Sequence, residues 1–356
     1  MTTDIDTRLA ELDMLQGADI RLLGTGESNT TYIANNNGEQ LVVRLARQDV
    51  VVPERFAREN QYLEFVNHLG FSFSPKPIYC DADRGVQIVS FMPGKDGSVL
   101  DLNPRQQVVF IDQIKRLDAV SYDSYLDWCK ATNNMPYAPN SFEQRIRVNF
   151  TARIEQLNRS LNDPRVAQLL ALATDGMQLM DTMRANLSVV RKFMHNDLRW
   201  TETGGNLRID GEQVGFIDWE LTGFVDDYGL EIGDVLGSIP LGAKNNAMIA
   251  DICNAYKIGE ETDPEMQMLR VAYAVLWGRI GNPLWAAERY VNFGGNGSER
   301  AAPYATYRLR QSGLVPPVPI TRRRLLGLLA GTAAFIGLPA AWFSRGRTYE
   351  GPISDH

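Results

Sequence analysis

Met194-His195-Asn196-Asp197-Leu198, followed about twenty residues later by Phe216-Ile217-Asp218-Trp219-Glu220, is the stretch on which the fold of this chain turns. Each segment reads as a short apolar strand ending in a polar turn, which would set Asp197 and Asp218 side by side at one rim. Either aspartate alone is an ordinary turn residue. As an ordered pair they are what phosphoryl transfer to a hydroxyl requires. One carboxylate orients the nucleophile and accepts its proton; the other holds magnesium against the β- and γ-phosphates.

Working toward the N-terminus, Leu23-Gly24-Thr25-Gly26-Glu27-Ser28-Asn29-Thr30 lies between two β-like runs. Gly24, Gly26, Ser28 and Asn29 would let backbone N–H groups approach phosphate oxygens without Cβ interference, although a plain hairpin bend has the same composition. The strand Val42-Val43-Arg44-Leu45 follows. It offers a cation that can reach back to the α- and β-phosphates, with Glu59 on the next helix as its partner. The alternatives are an exposed strand residue and a solvated helix face.

Strands are predicted at 20–23, 30–34, 40–46, 77–80 and 85–91, with Asn35-Asn36-Asn37-Gly38 as a hairpin turn. A short amphipathic helix is predicted over 4–15 and a longer one over 53–69, opened by Pro53-Glu54 and closed by Gly70. Beyond residue 100 the pattern is mostly helical, at 104–118, 142–160, 164–187, 228–238, 244–257, 265–290 and 298–312, interrupted by strands around 192–219.

The order of these features resembles the choline/ethanolamine kinase and aminoglycoside phosphotransferase superfamily over roughly residues 20 to 240. Gly24 to Asn29 resembles the phosphate loop of choline kinases, which also tend to carry Arg where Arg44 stands and Asn where Asn196 stands. The resemblance implies an α+β, bilobal, protein-kinase-like fold. Residues 1–92 would form a small antiparallel β lobe with one main helix, 93–315 a larger helical lobe, and 316–356 a linker and apolar tail. It implies ATP and Mg²⁺ as cofactors, Asp197 as catalytic base, Asp218 as metal ligand and Glu59 as the partner of Arg44. Ser90-Phe91-Met92 would meet the adenine, His195 would buttress the catalytic loop, and Glu231 would take the place of a second conserved acid.

One departure bears on the metal. The superfamily's second ligand is an Asn five residues after the base, where this chain has Glu202. Asn206, followed by Leu207-Arg208-Ile209-Asp210, looks like that Asn displaced by a four-residue insertion. Glu202 is the fallback ligand, since a carboxylate also binds magnesium. A site damaged by the insertion, binding nucleotide without turnover, is a third reading.

The 356 residues carry a net charge of −7, with 44% hydrophobic and 22% charged residues. That composition suits a folded domain and argues against nucleic acid as partner. Three scattered cysteines (Cys80, Cys129, Cys253) offer no disulfide framework or zinc set and suit a reducing cytoplasm; three histidines exclude a His-rich metal site. Met1 to Asp6, with no basic n-region and no apolar core, is not expected to act as a secretory signal. Near the other end, Arg322-Arg323-Arg324 precedes an uncharged run over 325–343, long enough for the ~30 Å of a bilayer core. This tail reads as an anchor to the inner face of a membrane, an export-signal-like remnant of a fusion or truncated module, or a buried helix.

The acceptor should be a small hydroxylated molecule facing Asp197. Trp277, Trp285 and Tyr290 share one helical stretch and would line its pocket or form plain core. Trp219 and Glu220 lie next to Asp218, and Glu220, Asp226 and Asp227 make the region acidic. Choline or a related amino alcohol is the leading acceptor, held by cation–π attraction. An aminoglycoside or sugar, and a membrane-tethered pseudokinase sensing nucleotide, are the alternatives.

Overall fold

Alternating apolar residues in the N-terminal third pair into an antiparallel sheet in the computed structural model, which describes residues 7–25, 29–47, 52–160, 164–198, 205–239, 243–256 and 264–293. After a short helix α1 (Thr7–Ala10) come β1 (Asp19–Thr25), β2 (Asn29–Asn36) and β3 (Glu39–Ala46). Helix α2 (Pro53–His68), β4 (Pro77–Asp81) and β5 (Val86–Ser90) follow, and the sheet order is β1-β2-β3-β5-β4. The β2–β3 hairpin turns at Asn37 and Gly38, both with positive φ (50° and 88°), the geometry that matches the twist of paired strands. Along β3, Leu41, Val43 and Leu45 are buried with Leu9, Leu12 and Leu15. The period of two therefore turns Val42 and Arg44 to the other face, toward the cleft.

The connection is stitched to the second lobe. Strand β6 (Lys95–Gly97) pairs with a later strand β8 (Leu207–Asp210), which in turn pairs with β9 (Gln213–Phe216). Gly94 has φ +102°, and a Cβ there would lie 2.5 Å from the Ile209 carbonyl oxygen, so only glycine lets the two backbones pass this closely.

Helices build the rest: α3 (Pro104–Asp118), α4 (Tyr122–Thr132), α5 (Phe142–Ile146), α6 (Ala152–Leu157) and α7 (Pro164–Arg184), then α8 (Glu231–Ser238), α9 (Ala243–Tyr256) and α10 (Pro264–Phe293). Asn103 caps α3, accepting from the amides of Arg105 and Gln106, while Gln106 Oε1 accepts from the Asn103 backbone N–H at 2.8 Å. A π-helical turn, Arg147–Thr151, joins α5 to α6. The predicted helix over 228–238 begins at Glu231. The residues before it form β10 (Gly223–Asp227), which pairs with β7 (Val190–Met194). Helix α4 had no counterpart in the sequence reading; Ser121 caps its start and Asn133, at φ 57°, ends it.

Small residues let α8 lie directly on α10. A Cβ on Gly233 would come within 2.6 Å of Ala274 Cβ, and one on Gly237 within 2.6 Å of the Val275 carbonyl oxygen. One hydrophobic core runs from α2 into the helical lobe, with Tyr62 and Phe65 packed on Tyr125 and Phe193. A second fills the space between α7 and α10. The segments 298–312 and 325–343, predicted as helix and apolar tail, lie outside the described residues. Among the described residues no helix is long and apolar enough to cross a membrane.

Candidate active site

Strand β7 delivers its C-terminal end to the cleft, and Glu231 holds it there. The Glu231 carboxylate accepts hydrogen bonds from the backbone amides of His195 (2.9 Å) and Asn196 (2.7 Å), the latter in the left-handed region at φ 65°. Burial pushes the Glu231 pKa up, while the two amides donate to the charged form and pull it down. The His195 imidazole is fully buried, edge-on to Trp219 and Phe216. Burial lowers its pKa to about 4, with Asp218 and the Ile217 backbone pulling the other way, so the ring is neutral near pH 7.

Asp197 follows. Its carboxylate and its main-chain oxygen both accept from the Asn206 side-chain amide, each at 2.8 Å. Asn206 thus reaches back across a stretch of which residues 199–204, Glu202 among them, lie outside the described residues. Asp218 leaves β9 at φ 62° with its side chain 37% exposed, and its Oδ1 accepts from Arg44 Nη2 at 2.9 Å. Asp197, Asn206, Asp218 and Arg44 all line one cleft of ≈ 830 Å³ between the lobes.

Arg44 ties the lobes together across this cleft. It is ion-paired to Glu59 of α2, which is 4% exposed, and donates to Gln87 at 3.2 Å and to Glu220 at 3.4 Å. Burial alone would lower its pKa, yet the Glu59, Asp218 and Glu220 carboxylates raise it, so the guanidinium stays charged. Asn29 at the start of β2 and the segment Ser90-Phe91-Met92 also line the cleft. Gly24 sits where the β1–β2 register slips, and Gly26 and Ser28 lie outside the described residues.

The predicted acceptor residues separate. Trp285 lines the cleft. Trp277, on the same helix, does not: it is 4% exposed and packs edge-on against Phe150 at 4.6 Å in the second core. Eight residues along a helix place two side chains about 80° apart round the axis, so one can face the cleft while the other faces core. Trp219 is fully buried behind the Asp218 turn, donating to the Phe216 carbonyl at 2.8 Å and stacking near Phe73. The side chain of Tyr290 lies outside the described residues.

The acidic character of the region is answered by arginines. Glu220 is ion-paired to Arg55 and Arg44, Asp227 to Arg145, and Asp226 to Arg191 through two bonds of 2.7 and 2.8 Å. Sequence reading does not single out Arg55, Arg58, Arg145 or Arg153, all of which line the cleft. The only local signal was spacing: Arg55 and Arg58 stand three apart on α2, and Arg145, Asn149 and Arg153 four apart on the α5–α6 segment.

An antiparallel sheet with one helix, a larger helical lobe and a cleft carrying both aspartates define the protein-kinase-like fold. The model of the phosphotransferase enzyme family matches residues 19–266, and the chain belongs to that family. Among solved structures it is similar to a microcompartment-associated aminopropanol kinase (15% identity, 94% of this chain and 98% of that one, TM-score 0.59). It is also similar to choline kinase from Cryptosporidium parvum Iowa II (14%, 92% and 94%, 0.57) and to APH(2")-IIa in its streptomycin–ATP ternary complex (13%, 88% and 99%, 0.53). No curated protein sequence matches the chain.

Proposed function

We propose that this phosphotransferase moves the γ-phosphate of ATP, with magnesium, to a hydroxyl of a small metabolite. The observation that carries the reading is the meeting of Asp197, Asn206, Asp218 and Arg44 in one interlobe cleft. Among the described residues no three His, Cys, Asp or Glu are grouped so as to hold a metal ion between them. Magnesium needs no such cage, because it keeps several waters and takes one or two protein oxygens beside substrate phosphates. The half-exposed Asp218 carboxylate and the Asn206 Oδ1, whose Nδ2 is held by Asp197, are donors of that kind. Bound there, magnesium would neutralise charge on the β- and γ-phosphates.

The protein's own groups then have separate tasks. Asp197, oriented by Asn206, accepts the proton of the acceptor hydroxyl as that oxygen attacks. Arg44, fixed by Glu59 and Gln87, offers its charge to the α- and β-phosphates. The β2 start near Asn29 lies over the phosphates, and Ser90-Phe91-Met92 meets the adenine.

Among the acceptors expected from sequence, an amino alcohol keeps one support in the cleft wall, Trp285, whose face could hold an ammonium group. Structural neighbours named for choline, aminopropanol and streptomycin place such compounds in the first test. ATP consumption by the full chain with Mg²⁺ is measured against amino alcohols, sugars, aminoglycosides and hydroxy acids. Turnover that Asp197→Asn abolishes, with nucleotide affinity near wild type, is the expected result. Equal turnover in that variant would remove the base assignment.

A further inference from the structure

The part of the cleft beyond Asp197 is walled by the segment from α5 to α6, where Gln144, Arg145, Asn149 and Arg153 all face inward. Arg145, Asn149 and Arg153 stand on one face, four residues apart, and the π-helical turn between them reduces the angular drift that an α-helix accumulates over that spacing. Two of the side chains bind back to the preceding turn: Asn149 Nδ2 donates to the Arg145 carbonyl at 3.0 Å, and Arg153 Nη1 donates to the Asn149 carbonyl at 3.3 Å. From the small lobe, Arg55 and Arg58 of α2 face the same cleft.

Among the described residues, the carboxylates that could serve a cationic acceptor are engaged. Glu220 is paired to Arg55 and Arg44, Asp227 to Arg145, and Glu288 to Arg153 at 3.0 Å. Asp197 is bound by Asn206, and Asp218 by Arg44. Arg58 has no carboxylate partner among the described residues; it donates to the Glu220 carbonyl at 3.4 Å, and its Nε is buried without a hydrogen-bond partner there. An ammonium group entering this wall would meet guanidinium groups, and among the described residues every acid lining the cleft is already engaged. A carboxylate or phosphate would meet the donors that bind such groups in two-point fashion.

Resting on the kinase reading above, we propose that the acceptor is a small hydroxylated anion, with its acidic group held among Arg58, Arg153 and the amides of Gln144 and Asn149. Its free hydroxyl is thereby turned toward Asp197.

The test uses the full chain with Mg²⁺ and γ-labelled ATP. A small-molecule cell extract is first separated into anion-exchange-retained, cation-exchange-retained and unretained fractions, and each is offered as acceptor. Glycerate and gluconate (carboxylate) and glycerol 3-phosphate (phosphate) are run beside ethanolamine, choline and kanamycin. Label should pass into the anion-exchange-retained fraction, and the two anionic sets tell which acidic group is read. With that acceptor, Arg58→Gln and Arg153→Gln should each raise acceptor KM about tenfold, the loss of one charged contact, while nucleotide KM moves less than about twofold. Label appearing instead in the cation-retained or unretained fraction overturns this proposal and leaves the kinase reading standing. Unchanged acceptor KM in both variants overturns it as well. No label in any fraction overturns the kinase reading itself, and this inference with it.

Discussion

The side-chain amide of Asn206 donates to both the carboxylate and the main-chain oxygen of Asp197, at 2.8 Å each, although it stands nine positions further along the chain. The stretch between them therefore still returns an Asn to the aspartate proposed as base. Two bonds from one amide fix both the rotamer of Asp197 and the path of its backbone. Asn206→Ala should lower kcat by about 10- to 100-fold, as misplacement of a reacting group does, with little change in melting temperature. Steady-state kinetics across a magnesium titration checks this, and wild-type kcat in the variant would show that the contact is incidental.

Glu231 satisfies two backbone amides, that of the buried His195 and that of the partly buried Asn196. In Glu231→Gln, one amide would face an NH₂ group instead of an oxygen and lose its acceptor. A buried donor left unmade costs about 1–3 kcal/mol, so urea unfolding should show a loss of that size. Turnover should fall further than stability, because the segment that loosens carries Asp197. Equal stability of variant and wild type would count against the assignment.

His195 sets a pH dependence whose sign follows from its burial. Unfolded, the ring titrates near 6.5; folded, it takes no proton until about 4. As pH falls through this window the unfolded chain binds the proton first, so stability declines from pH 6.5 downward and the effect is complete near pH 4. The full effect is about 3 kcal/mol by the usual conversion of pKa shift to free energy. His195→Gln removes it. The stability gap between wild type and variant should therefore narrow on acidification, and a gap constant from about pH 7.5 to 4.5 would rule out a neutral buried ring.

The α8–α10 seam predicts a packing defect. Gly237→Val would drive a side chain into the Val275 carbonyl, 2.6 Å from the position of its Cβ, with Gly278 Cα at 3.2 Å behind it. Backbone cannot move aside as a side-chain tip can, so a loss of about 3 kcal/mol or more is expected in thermal or urea unfolding. A variant within 1 kcal/mol of wild type would mean that the two helices separate freely.

Much of this architecture was readable from local chemistry. The Asn-Gly hairpin, the Asn103-Pro104 start of α3 and the period-two pattern of β3 each depend on neighbours along the chain, and each marks its element. The paired aspartates stood out because short strands and polar turns have a local signature. What escaped was long-range. Nothing near residue 145 indicates that Arg145 pairs with Asp227, 82 residues away, or that it donates to Asn196 at 3.3 Å. The acidic run 220–227 looked open to a cation because its arginine partners come from α2, β3, β7 and α5. Trp277 and Trp219 were placed by type, since an aromatic on a helix or beside the aspartate proposed to hold magnesium reads the same whether it faces core or ligand.

The glycine contact between α8 and α10 ties two kinds of fitness to one helix. A seam made of bare backbone cannot absorb mutation by repacking neighbours, so a bulkier residue must displace α8 as a whole. Glu231 is the first residue of that helix, and any displacement would travel through it to the loop bearing Asp197. Drift at a position remote from the chemistry would then be filtered by natural selection as strictly as drift in the catalytic residues.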